Sequence, residues 1–238
     1  MIYFSGDIHG SPWGVKRFCD RNGLTESDIV VLLGDVGANY YGNILLDKAK
    51  IVLAQLRPTI LCIHGNHEIR PHRLDGYRLR EWNGGKVWVQ DYLPSMPSLL
   101  FAKDGEIYNL NGLRYLAIGG AYSVDKYYRL NHGMAWWPDE QPDEETKAFV
   151  ERQIAENRID VVLSHTCPYK YVPREMFLSG IDQCGVDSST ELWLDSIEDR
   201  LDYRAWFCGH WHTDKRIDRM HFLFHSFESE DDIPGKQG

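Results

Sequence analysis

Five short apolar runs punctuate the chain, and each gives way abruptly to small and polar residues. Ile2-Tyr3-Phe4 runs into Ser5-Gly6-Asp7-Ile8-His9-Gly10, and Ile29 to Leu33 into Gly34-Asp35. Thr59 to His64 runs into Gly65-Asn66-His67-Glu68, Ile159 to Leu163 into Ser164-His165, and Ala205 to Cys208 into Gly209-His210-Trp211-His212. Runs of this length and composition predict buried strands, and Gly after the run predicts a sharp exit. Polar side chains therefore gather at predicted strand tips. Strands lying side by side would bring those tips to one site.

The intervening segments alternate with the strands. Ser11-Pro12 predicts a helix start with Val15, Phe18 and Cys19 on its apolar face, and Asn43 to Leu56 carries Ile44, Leu45, Ala49, Val52, Leu53 and Leu56 at helical spacing before Pro58. Strand, helix, strand, helix, strand with right-handed crossovers predicts parallel pairing. Past Glu68, Arg70, Arg73, Arg78 and Arg80 interleave with Asp75 and Glu81, which predicts a solvated surface segment. Short strands are expected at Val87 to Val89, Leu99 to Ala102, Glu106 to Leu110 and Leu113 to Ile118, and Asn111-Gly112 between apolar runs predicts a hairpin. The sheets must then be mixed.

Residues 119–142 hold Tyr122, Tyr127, Tyr128, Trp136 and Trp137 with no regular period, as expected of a structured loop over a binding site. Trp136 and Trp137 fit equally as plugs at the edge of the core. Asp143 to Asn157 predicts a helix with an acidic first turn, and Ser188 to Leu201 another, capped by Ser188 or Ser189 and faced by Leu192, Leu194, Ile197 and Leu201. Two further strands are expected at Asp214 to Arg219 and His221 to Ser226, and a frayed tail over 230–238. The whole chain, 1–238, reads as one α/β domain.

At 238 residues, 43% hydrophobic and 26% charged, the composition is that of a soluble globular protein. No apolar run approaches the roughly 18 residues of a membrane span. Met1-Ile2-Tyr3-Phe4 does not look like a secretory signal, and Cys19, Cys62, Cys167, Cys184 and Cys208 form no CxxC pair, which together predict reduced thiols and a cytoplasmic location. A net charge of -9 argues against binding duplex nucleic acid by bulk electrostatics. It leaves an anionic substrate open, because a metal site reverses the local sign of charge.

The strand tips present Asp7, His9, Asp35, Asn66, His67, His165, His210 and His212, including five of the ten histidines. Residues two apart in a strand point the same way, so Asp7 with His9 and His210 with His212 are expected to face one side. Oxygen and imidazole donors without thiolate disfavour structural zinc, and several imidazoles disfavour Ca²⁺ or an oxygen-bound Mg²⁺. Seven ligands drawn from these eight residues are too many for one tetrahedral ion and suit two ions sharing a carboxylate.

These motifs, in this order, resemble the calcineurin-like metallophosphoesterases. The resemblance implies a four-layer αββα sandwich of two mixed β-sheets flanked by helices. It implies one metal on Asp7, His9, Asp35 and His212 and a second on Asp35, Asn66, His165 and His210, with Asp35 bridging and His67 as proton donor. Mn, Fe, Zn or Ni would then serve a phosphomonoesterase or phosphodiesterase, attacking in line with a hydroxide shared by the two ions. The substrate expected is a small phosphorylated compound, a nucleotide or a nucleic-acid end. Protein Ser/Thr phosphatases and dinucleoside tetraphosphatases carry Asp-Arg-Gly shortly after the second motif, where this chain reads Val36-Gly37-Ala38-Asn39-Tyr40. Arg129, Arg70 or Arg73 is a candidate replacement for that phosphate clamp, and Tyr122 a second candidate substrate contact. Two alternatives stand beside this reading. One is a catalytically silent scaffold of the same fold. The other, a metal-dependent amidohydrolase barrel, fits poorly with the central hairpins.

Overall fold

The computed structural model describes residues 1–90 and 98–235. Among these residues thirteen strands alternate with helices, in the order β1 (Ile2–Ser5), α1 (Trp13–Asn22), β2 (Ile29–Leu32), α2 (Lys48–Ala54), β3 (Thr59–Cys62), β4 (Tyr77–Trp82), β5 (Gly85–Gln90) and β6 (Leu99–Ala102). The second half runs β7 (Ile107–Leu110), β8 (Leu113–Ile118), α3 (Lys126–Asn131), α4 (Glu144–Glu156), β9 (Val161–Ser164), α5 (Ser189–Glu198), β10 (Ala205–Cys208), β11 (Lys215–Ile217), β12 (Met220–Phe222) and β13 (Phe227–Ser229). Two mixed sheets result, one ordered β13-β1-β2-β3-β6-β5-β4 and the other β11-β12-β10-β9-β8-β7.

Alternate residues of each central strand face opposite apolar layers, which is why these runs are apolar throughout. Phe4, Val31 and Leu61 face Tyr115, Leu163 and Phe207 between the sheets, with the rings of Phe4 and Phe207 stacked 4.0 Å apart. Val30, Leu32 and Ile60 turn outward onto Val15 and Cys19 of α1 and Leu53 of α2. On the opposite flank Leu116, Val162 and Trp206 pack on Val150 of α4 and on Leu194 and Ile197 of α5. Helix, sheet, sheet, helix is the expected four-layer sandwich.

The five site strands do not lie side by side. β1, β2 and β3 are parallel neighbours in one sheet and β9 and β10 in the other, so their tips meet across the sandwich. Several local expectations also give way. The helix foreseen from Asn43 begins only at Lys48, because Asp47 accepts the N–H groups of Tyr41 and Asn43 and Asn43 accepts that of Leu45, a loop that holds its own hydrogen bonds. Leu45 and Leu46 are consequently exposed. The arginine-rich segment yields the edge strand β4, joined to β5 through Asn83-Gly84, both at positive φ. Arg78 and Arg80 on that edge are the kind of charge that discourages sheet-to-sheet association. Of the predicted His221 to Ser226 strand only the first two residues are extended, as the end of β12, and an unforeseen strand, β13, follows it and pairs with β1 in the other sheet. α5 is preceded by Asp187, whose carboxylate accepts the Ser189 N–H, and Ser188 makes no side-chain cap; Leu192 points to solvent at 54% exposure. No helix among the described residues is long and apolar enough to cross a membrane.

The tail is not frayed over the described residues. A short 3-10 turn at Glu230–Asp232 is closed by a capping box with Ser229, Ile233 is buried, and Glu230 accepts the Ile2 N–H at 3.1 Å and the Asn111 amide at 2.9 Å. Replacing Glu230 by Ala leaves a buried main-chain donor without its acceptor and is expected to cost about 1–3 kcal/mol in urea unfolding. Asp231→Ala, on the exposed side of the same turn, should stay within about 0.5 kcal/mol. Equal effects would mean the tail contributes no specific tie.

Candidate metal centre

Each site strand stops just short of the polar residues it delivers, and tight turns aim the side chains. His9, Asp35, His210 and His212 all adopt positive φ, at 43°, 46°, 66° and 49°. Left-handed backbone at a non-glycine residue is uncommon and costs on the order of 1–3 kcal/mol. The pairs Asp7/His9 and His210/His212 therefore converge through turn geometry and not through the alternation of a strand, as their spacing had suggested. Two glycines make room for the carboxylates. A Cβ on Gly65 would collide with the nitrogen and Oδ1 of Asp35, and one on Gly209 with Oδ1 of Asp7.

Asp7 and Asp35 are both buried. Oδ1 of Asp7 accepts the His210 N–H at 2.8 Å, while its Oδ2 is buried with no hydrogen-bond partner, 3.4 Å from His212 Nε2 and 3.7 Å from His9 Nε2. Those two histidine nitrogens are themselves 2.9 Å apart. Oδ1 of Asp35 accepts the His67 N–H at 2.8 Å and lies 3.6 Å from His165 Nε2; Oδ2 is 4.0 Å from His9 Nδ1. His165 donates from Nδ1 to the Leu33 carbonyl at 2.7 Å, and its Nε2 lies 2.8 Å from Asn66 Oδ1. Carboxylate, imidazole and amide atoms converge here, with the orphaned Asp7 oxygen beside them, as the donor set of a candidate cation site.

Three groups bring their ligand atoms within 4.8 Å of one another: Asp7, His9 and His212; His9, Asp35 and His67; and Asp7, Asp35 and His165. Asp7, His9 and Asp35 each join two groups. His210 falls outside all three, its ring lying 5.0 Å from that of His165, whereas His67 falls inside one although it was expected to stand apart from the ligands. Burial alone would raise the Asp7 carboxyl, but the His212 imidazole beside it and the main-chain N–H of His210 hold it down at about 2. Burial, reinforced by His165, keeps His210 well below the ordinary imidazole range and hence neutral. Burial likewise lowers His67, with Asp35 opposing and Arg129 adding to the effect.

The sequence model of the calcineurin-like phosphoesterases matches residues 1–214. The chain belongs to that family. Membership brings metal-dependent phosphoesterase chemistry in general, and the ligand groups above lie within the matched residues. Among solved structures, the phosphopantetheinyl hydrolase PptH from Mycobacterium tuberculosis is 14% identical with a TM-score of 0.52 over 94% of this chain and 87% of that one, a likeness of fold. A protein of unknown function from Aquifex aeolicus is 13% identical, with a TM-score of 0.31 over 72% of this chain and 81% of that one. The Thermus thermophilus sulfate thiohydrolase SoxB is 13% identical, with a TM-score of 0.29 over 92% of this chain and 37% of that one. A search of curated proteins gave no match.

The loop over 119–142 contributes residues that no motif announced. Asn66 Nδ2 donates to Ser123 Oγ at 2.8 Å, which is what turns the amide oxygen toward His165. Behind Ser123 stands buried Glu140, which also accepts the Trp136 indole N–H at 2.7 Å. Within the loop, the short helix α3 carries Arg129, whose guanidinium lies 2.6 Å from His67 Nδ1. Arg129 is only 1% exposed and is no free phosphate clamp. Arg70 is engaged by Asp104 and the Asp139 carbonyl and Arg73 by the Asp139 carboxylate, so neither is free for that task. Tyr122 is buried, and among the described residues its hydroxyl bonds no site residue. Trp137 packs at 5.3 Å against Tyr40, beside the site.

Ser123→Ala releases the Asn66 amide to rotate. Removing a partner that orients a metal ligand typically costs 10–100-fold in metal affinity, and a loss of about that size is expected on titrating the variant with Mn²⁺. Unchanged affinity would show that Asn66 is oriented some other way.

Proposed function

We propose that the chain hydrolyses esters of phosphoric acid on small phosphorylated compounds, nucleotides among them. The observation that carries this reading is the acceptor-lined cluster at the sandwich tips, where two buried carboxylates stand among imidazoles and an amide oxygen. Asp7, His9, Asp35 and His212 would hold one metal ion and Asp35, Asn66, His165 and His210 a second, with Asp35 shared. Mn, Fe, Zn or Ni ions bound there would polarise phosphoryl oxygens, acidify a water and outweigh the two carboxylates, which gives an acidic chain a site that attracts anions.

The protein's own groups set the geometry of the reaction. Main-chain N–H groups of His210 and His67 pin Oδ1 of Asp7 and Oδ1 of Asp35, so neither carboxylate swings. His9 and His212, with side chains 38% and 48% exposed, mark the open side by which an ester enters. His67, 26% exposed, stands between that opening and Arg129. Its ring donates a hydrogen bond to the departing oxygen as negative charge develops on it. Arg129 against Nδ1 favours hydrogen bonding from a neutral ring, and the departing oxygen takes its proton from water at the open side as it leaves.

The test is turnover of aryl and alkyl phosphomonoesters and phosphodiesters by Mn²⁺-loaded protein. His67→Ala should keep its metal, lose about 10²–10³ in kcat on alkyl esters and much less on nitrophenyl esters, whose leaving groups need little help. Full activity on alkyl esters would remove His67 from the reaction. Bound metal with no turnover of any ester would leave the silent scaffold as the better reading.

A further inference from the structure

Helix α3 is held in place in an unusual way. Of its six residues, Lys126–Asn131, only Arg129 is buried, while Tyr127 is 66% and Tyr128 59% exposed. An amphipathic helix normally docks through an apolar stripe. This one docks through a guanidinium, which is sandwiched beside the rings of Tyr40 and Trp137, each 5.7 Å from its central carbon, and donates to the Tyr40 hydroxyl at 3.1 Å.

We infer that Arg129 is a positioning residue, which holds the His67 imidazole in the single tautomer that carries its hydrogen on Nε2. This rests on the phosphoesterase reading only for its consequence in catalysis. The geometry stands alone. A guanidinium has five donors and no acceptor, so the 2.6 Å contact requires Nδ1 of His67 to accept, and in a neutral ring the hydrogen then sits on Nε2. The carboxylate on that side, Asp125 Oδ1, is 3.7 Å from Nε2, too far to engage it, and is itself buried without a partner. Asp125 and Arg129 are one helical turn apart, and the Arg129 N–H bonds the Asp125 carbonyl at 2.9 Å, so α3 brings both to the same ring. With the His67 main chain tied to Asp35 and Nδ1 tied to Arg129, the Nε2 hydrogen is the one group of this residue left for a substrate oxygen.

The tautomer can be read directly by two-bond ¹H–¹⁵N correlation spectra of the full chain loaded with diamagnetic Zn²⁺ at a pH where His67 is neutral. The wild type should show His67 protonated on Nε2 and bare on Nδ1, and Arg129→Met should lose that preference. A wild-type ring protonated on Nδ1, or an unchanged tautomer in Arg129→Met, overturns the inference. Should Arg129→Met not fold, the wild-type spectrum still decides. Kinetics give the second readout: Arg129→Met should lower kcat about 10- to 100-fold with KM within about twofold. A raised KM with unchanged kcat would instead make Arg129 a substrate contact and overturn the proposal. Absence of any turnover by the wild type would defeat the phosphoesterase reading and leave the tautomer result untouched.

Discussion

Burying Asp7 and Asp35 together is the constraint around which this structure is arranged. Two carboxylates out of water cost several kcal/mol each unless they are paired and hydrogen-bonded. Each receives a main-chain N–H, from His210 and from His67, and each faces imidazole nitrogens. One oxygen of Asp7 nevertheless remains without a partner. The strained backbone at His9, Asp35, His210 and His212 and the glycines at 65 and 209 follow from the same constraint. They bring turns from two sheets close enough to surround both carboxylates.

Assembly across two sheets explains why the packed core matters to the site. The stacked rings of Phe4 and Phe207 join β1 to β10 a few residues below Asp7 and His210. Spacing between the sheets therefore sets spacing between the ligands. The loop over 119–142 then closes the site from outside the motifs. Through Ser123 it turns the Asn66 amide oxygen toward His165, and through Arg129 it reaches the ring of His67. A single segment thus contacts both Asn66 and His67, the two polar residues delivered just beyond β3.

The fold and the cluster were legible in the sequence to different depths. The site residues stood out because Asp, Asn and His in tight succession after apolar runs have no packing reason to be there, and the order of the motifs carried the four layers with it. Their orientation was not legible, since left-handed turns override the period of the strands. Asn83-Gly84 is a hairpin signal, but it follows a run of arginines whose charges read as a solvated surface segment. A hydrogen-bonded loop around Asp47 displaced a helix whose apolar spacing looked adequate. Ser123 is a common residue in an irregular segment that only its contact with Asn66 singles out, and Arg129, expected as a phosphate clamp, is instead buried against His67.

The central claim is that Asp35 is shared by two cations held between the sheets. Metal content after Mn²⁺ loading and exhaustive dialysis, compared for wild type and Asp35→Asn, tests it most directly. Two ions per chain in the wild type and fewer than one in Asp35→Asn are expected, because removing the shared carboxylate weakens both positions at once. A wild type that retains one ion or none, or an Asp35→Asn chain that still holds two, would contradict the account.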